Sequence, residues 1–193
     1  KCAGRRIRRL DSNPLGHNMD FLFAKIITTA VAIIFIVGFW QKIKEMETFQ
    51  ISLEAYELIP APGLKYSAYA IVLAEGVAAT LLLMERTLLL GAILGSTLLS
   101  IVTLAVVINL LRGNTDIGCG CGGIEDEQPI SWALVTRNLI LITGLTSVFF
   151  AGSSRILAPL DFFTLAAGSI TFYGLYVLSS QLITNLPRLR AIK

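Results

Sequence analysis

The sequence predicts an all-α membrane protein: a four-helix transmembrane bundle, a fifth transmembrane helix at the C-terminus, and one short helix lying along the membrane interface. Three observations carry this. Of 193 residues, 54% are hydrophobic and 15% charged, and the mean hydropathy is +0.72, which is not the composition of a soluble globular domain. The apolar residues gather into runs near the length of about 20 that a helix needs to cross a hydrocarbon core of roughly 30 Å. The polar connections between runs are short and no repeat or linker divides them, so 19–193 reads as a single transmembrane domain behind a basic tail at 1–18.

The tail differs in composition from everything after it. Arg5, Arg6, Arg8 and Arg9 form a basic cluster, read as the positive flank that holds the N-terminus in the cytoplasm. Such a cluster also attracts headgroups or nucleic-acid phosphate. No aromatic or groove-reading element accompanies it, so membrane lipid is an expected partner and nucleic acid is not. Met19 directly precedes the first span and marks an alternative native start, with the tail as an extension. The tail and first span do not read as a cleavable signal peptide, because the span is long and lacks a small-residue cleavage site. Lys1 ahead of Cys2 argues against a lipoprotein start.

The spans follow in order at 21–41, 64–84, 88–111, 131–151 and 160–183. Lys25 and Gln41 lie near the ends of the first, where snorkelling and interfacial anchoring account for them. Around 45–58, Met46, Phe49, Leu53 and Tyr56 recur at helical spacing among Glu45, Glu47, Glu54 and Glu57, the pattern of a helix lying on the interface. Pro60 and Pro62 are expected to end it. Gly91 and Gly95 share one face of the third span and predict close helix contact. Trp40, Tyr56, Tyr66 and Trp132 are expected in an outer aromatic belt. The Ser, Thr and Gly residues of the last span suit a helix contact.

Chemistry is concentrated between the third and fourth spans, in Gly118-Cys119-Gly120-Cys121-Gly122-Gly123, which holds two of only three cysteines. The glycines alone would make an ordinary turn, but they do not account for the sulfurs. A disulfide wants Cα atoms roughly 4.4–6.8 Å apart. Residues i and i+2 meet that only in a bent backbone, which the glycines permit. A ring so small is strained and easily reduced, and it closes too short a loop to stabilise much through chain entropy. It therefore suits thiol–disulfide exchange better than stapling. Two thiolates are half a zinc shell, and Cys2 and His17 lie far off in the tail, so no metal site is expected.

A disulfide persists on the oxidising side of a membrane. With the N-terminus inside and five spans, the cysteine loop and 42–63 fall outside. Loop 112–130 agrees, with Asp116, Glu125, Asp126 and Glu127 against Arg112 alone; Arg188, Arg190 and Lys193 at the C-terminus count against it.

Glu75 falls near the middle of the second span, where an ionised carboxylate is costly unless paired. It reads either as a proton carrier or partner of a buried cation, or as a neutral acid fixing helix packing. Arg137 and Asn138 lie about two turns into the fourth span. A guanidinium keeps its charge, and its available anions are Glu75, a headgroup or a cysteine thiolate, whose pKa a nearby cation would lower. At about 1.5 Å rise per residue, Arg137 lies roughly 9 Å below the start of its span and Glu75 about 7 Å deeper. An Arg137–Glu75 pair anchoring the second and fourth spans is the favoured reading.

These residues also carry a resemblance. Val37-Gly38-Phe39-Trp40-Gln41-Lys42-Ile43, Tyr56-Glu57-Leu58-Ile59-Pro60, Glu75, Cys119-Gly120-Cys121-Gly122-Gly123, Ile130-Ser131-Trp132 and Arg137-Asn138-Leu139 occur in an order that resembles the MauE family. These are the methylamine-utilisation membrane proteins of the broader DoxX-like group. The resemblance covers about 19–145 and leaves out the tail and the fifth span. It implies a four-helix membrane core in a bacterial inner membrane, with a role in maturing a periplasmic, disulfide-rich amine dehydrogenase subunit beside a thioredoxin-like partner. It further implies Cys119 and Cys121 as the redox pair, with Glu75, Arg137 and Asn138 as the polar residues beneath. The chain departs from the family at Gly123, where an aromatic is frequent.

Two functions are expected from this. One is a membrane thiol–disulfide oxidoreductase, a relay in which a partner's dithiol attacks the Cys119–Cys121 disulfide, or the reduced pair attacks a partner's disulfide. If the electrons leave through the membrane, a quinone is the expected acceptor. The other is a non-catalytic accessory or assembly subunit of a larger membrane complex, dependent on Gly91, Gly95 and the fifth span. A transporter is weaker, as a single membrane acid and no repeat offer little to bind or alternate.

Overall fold

A computed structural model describes residues 14–115, 117–118, 130–149 and 159–191, with the side chains of 14–21, 159 and 184–191 excepted. Six α-helices run in order: α1 Pro14–Lys44, α2 Met46–Ala55, α3 Ala61–Leu83, α4 Leu88–Arg112, α5 Trp132–Thr146 and α6 Pro159–Ala191. Among the described residues, five helical stretches are long and apolar enough to cross a membrane: Leu22–Lys44, Ala61–Leu83, Glu85–Arg112, Trp132–Phe149 and Leu160–Ile183. The protein is thus an all-α, multi-pass membrane protein whose span ends differ from the expected ones by a turn or less.

Helix α1 is central and touches α3, α5 and α6, while α3 packs on α4 and α4 on α5. The main core joins Val31 and Phe35 of α1 to Ala78, Ala79 and Leu82 of α3, Ala92 of α4, and Leu141 and Leu145 of α5. Small residues set its spacing, as close helix contact requires in lipid. A Cβ on Gly91 would stand 2.7 Å from the Leu82 backbone N, and one on Gly95 would stand 3.0 Å from the Phe35 ring. The glycine face expected of the third span is therefore a contact face, turned towards α3 and α1.

The small residues of the last span also make a contact. Gly168 lies against Ile26, and the Ser169 hydroxyl donates to the Ile26 carbonyl at 3.4 Å. Elsewhere α6 leaves Phe162, Phe163, Ile170, Leu175, Leu178 and Leu182 exposed, as lipid-facing residues should be. Lys25, expected to snorkel, pairs with Glu85 at 3.0 Å and ties α1 to the α3–α4 connection.

Helix α2 presents the expected stripe. Phe49 packs with Ala68 and Val72 of α3, and Met46 and Leu53 flank them. The prolines act differently from expectation: Pro60 is the N-cap of α3 and Pro62 lies in its first turn, where a missing N–H costs nothing. The chain leaves α2 instead through Glu57, whose φ of 51° is left-handed and whose N–H donates to the Glu54 carbonyl at 2.9 Å. Helix α4 ends on Gly113 at φ 81°, with Asn114 N–H returning to the Asn109 carbonyl at 3.1 Å. A glycine here avoids the Cβ clash of that conformation.

Candidate functional site

Glu75 is buried on α3, and its partner is a buried cation. That cation is Lys42 rather than Arg137. Lys42 Nζ donates to Glu75 Oε1 at 2.5 Å, with side-chain exposures of 6% and 11%. The reason is topological: antiparallel packing of α1 on α3 brings the last turn of α1 over Glu75, closer than the fourth span. The Lys42 ammonium also lies 5.3 Å from the Phe49 ring, so one side chain links α1, α2 and α3. Lys42 had appeared only within the family-like motif at the end of the first span. The signal that identifies it is the lone acid on the neighbouring span, which calls for a cation at the end of an adjacent helix.

Arg137 faces α6 instead. Its Nη1 donates to Ser180 Oγ at 2.5 Å, and its guanidinium lies 4.7 Å from the Tyr176 ring centroid, a cation–π distance. Asn138 turns to α4, donating from Nδ2 to Thr103 Oγ1 at 3.2 Å. That hydroxyl in turn donates to the Leu99 carbonyl at 2.5 Å, so it both gives and receives. Adjacent residues of α5 thus bind opposite neighbours, and the fifth span, whose small and hydroxyl residues suited a helix contact, supplies Ser180 and Tyr176.

Glu75, Arg137 and Asn138 nevertheless share a site. Together with Lys42 and Tyr176 they line a cavity of about 420 Å³ whose other walls are mainly apolar: Ile34, Leu98, Val102, Ala105, Ile108, Leu141 and others. Glu75 Oε2 is buried there with no hydrogen-bond partner among the described residues. The wall residues Ile101 and Leu104 are 57% and 60% exposed, so the cavity opens on the apolar flank of α4.

Tyr56 also lines the cavity but does not belong to an interfacial belt. Trp40, Tyr66 and Trp132 are exposed, whereas Tyr56 is 5% exposed and packs with Val106, Ile130, Leu134 and Val135. Tyr56 keeps helical backbone angles at the end of α2 and so continues the stripe of Phe49 and Leu53 towards the bundle. Burial pushes its phenol up to about 12, because the phenolate loses hydration. Asn109 Nδ2 donates to the Tyr56 carbonyl at 3.2 Å.

The connection from α4 to α5 is closed at its base at this same end of the bundle. Ile130 N–H donates to the Ile117 carbonyl at 3.1 Å, and Ile117 packs on the Tyr56 cluster. Cys119 and Cys121 lie outside the described residues, as do the basic cluster and Cys2. Among the described residues, no group of three or more His, Cys, Asp or Glu could hold a metal.

The family model described as methylamine utilisation protein MauE matches residues 20–152. The methylamine utilization protein MauE of Paracoccus denitrificans is 30% identical over 126 residues, covering 63% of this chain and 68% of that protein. Its namesake in Paracoccus versutus is 30% identical over 159 residues, covering 81% and 84%. No solved structure matches.

Proposed function

The chain belongs to the MauE family, and on that premise we propose that it serves methylamine utilisation as a membrane thiol–disulfide relay. It would assist disulfide formation or assembly of a periplasmic redox enzyme. The protein sits in the bacterial inner membrane with its N-terminus cytoplasmic and Cys119 and Cys121 on the periplasmic side. Its partner is a thioredoxin-like protein or the disulfide-rich client itself.

The observation that supports this reading most is the cluster of Lys42, Glu75, Arg137 and Asn138 around one cavity, at the end of the bundle where the cysteine segment is closed by the Ile117–Ile130 hydrogen bond. Helix packing accounts for the ties these four side chains make, but not for Glu75 Oε2, an acceptor buried in the cavity with no hydrogen-bond partner among the described residues and costly to leave so. In the relay, a partner thiolate attacks one sulfur of the Cys119–Cys121 disulfide and forms a mixed disulfide. The partner's second thiol then displaces it, leaving the partner oxidised and the pair as a dithiol with two electrons gained.

The accessory-subunit reading draws on α6. Only 6% of its span is buried within the chain, which leaves a long apolar face for a partner helix as well as for lipid. Labelling of intact membranes with an impermeant thiol reagent, before and after mild reductant, separates the two. The relay requires Cys119 and Cys121 to be external, oxidised and easily reduced, with either Cys→Ser variant trapping a mixed disulfide. Permanently free or inaccessible thiols, with both variants still supporting amine oxidation, would sink the relay in favour of the accessory role.

A further inference from the structure

We propose that the 420 Å³ cavity is the binding site of a lipid-soluble quinone, its ring held against Lys42 and Glu75 and its tail leaving along α4. The volume lies within the range of roughly 300–1,000 Å³ usual for small-molecule sites, and a mainly apolar lining with a few convergent polar groups is their usual character. The flank at Ile101 and Leu104 is exposed, so a ligand would enter sideways from the bilayer.

The polar groups select the head. An ammonium has three donors. Lys42 uses one on Glu75 Oε1 and has others to offer a ring carbonyl. Glu75 Oε2 is a buried acceptor without a donor among the described residues, and a quinol hydroxyl would supply that donor. The site therefore suits both oxidation states, the quinone through Lys42 and the quinol through Glu75. A fatty-acid carboxylate matches less well, because it would bring a second anion beside Glu75 and leave Oε2 without a donor.

The use of such a site rests on the relay reading. Oxidation of the Cys119–Cys121 dithiol to a disulfide releases two electrons and two protons. Reduction of a quinone to a quinol consumes two of each, so the two half-reactions balance without a further reactant.

The test uses the full chain in quinone-free nanodiscs titrated with decylubiquinone, with empty nanodiscs as the partition control. The expected result is saturable binding that falls at least tenfold in two variants. Ala105→Phe fills the cavity wall. Lys42→Met with Glu75→Met removes both head contacts while leaving no charge stranded. Gly174→Ala, at a position with nothing within 4 Å of an added Cβ, should bind as the native chain does. No saturable binding above empty nanodiscs, equal binding in both cavity variants, or saturable uptake of oleate in place of decylubiquinone overturns the proposal. Ultraviolet measurement of decylubiquinone reduction by the prereduced protein keeps the two readings apart. Binding without reduction defeats electron transfer from the Cys119–Cys121 pair to the quinone and leaves the site standing, whereas thiol exchange without binding defeats the site alone.

Discussion

Removing Lys42 alone should destabilise this protein markedly. The Lys42–Glu75 contact is 2.5 Å and nearly water-free. At an effective dielectric of about 20, two unit charges at that distance attract by about 6–7 kcal/mol, and desolvating the two ions offsets most of it. The intact pair is thus close to neutral for stability, but Lys42→Met strands a carboxylate among Ala78, Ala79 and Val72 of its own helix. Breaking a buried pair from one side typically costs about 3–5 kcal/mol, whereas replacing both members with apolar residues is often neutral or better. For a chain of this length that loss corresponds to roughly 6–20 °C in Tm. Thermal unfolding of the detergent-purified protein should show the loss in Lys42→Met and its recovery in Lys42→Met/Glu75→Met. A single variant within about 1 kcal/mol of the native chain would mean that the pair is solvated. A double variant as unstable as the single would show that Lys42 acts through packing on Phe49 and not through charge.

Three further outcomes follow from the geometry. Gly91→Ala should destabilise by about 1–3 kcal/mol, because its Cβ meets the α3 backbone at 2.7 Å; Gly174→Ala should be neutral or mildly stabilising in the same melt, since helix propensity favours alanine by up to about 1 kcal/mol. Arg137→Lys should fail to restore what Arg137→Leu loses, because an ammonium cannot both stack on Tyr176 and reach Ser180 as the planar guanidinium does; equal stability and thiol-exchange rates for Arg137→Lys and the native chain would refute this. The third concerns high pH. Tyr56, raised to about 12 when folded from about 10 in the unfolded chain, stabilises fully below pH 10 and loses that contribution as pH rises through 12. The loss is of the order of 2–3 kcal/mol, and Tyr56→Phe should flatten the decline in Tm over that window.

Hydrophobicity and spacing were enough to read the spans, the α2 stripe and the glycine contacts from the sequence. Each is a local property: a run long enough for the bilayer, a period of 3.6, or two small residues a turn apart. Glu75, Arg137 and Asn138 were legible as a site for the same reason, because hydrophilic groups in an apolar run need an explanation wherever they point. Their partners were not legible. A carboxylate on one helix is satisfied by whichever cation the packing brings within reach, and only the antiparallel seating of α1 on α3 makes that cation Lys42. Arg137 went to Ser180 and Tyr176 because α6 returns alongside the bundle; the small residues of the last span suited a helix contact, but nothing in their spacing names the side chain they would meet. Tyr56 looked like an interfacial anchor from composition and is core because α2 seats its apolar stripe against the bundle. Local composition and period thus identify the residues that cross the membrane and those that are chemically out of place among them. Which of those meet, and that they enclose a cavity, follows from helix packing, because contacts between helices depend on their relative depth and rotation, which no single span encodes.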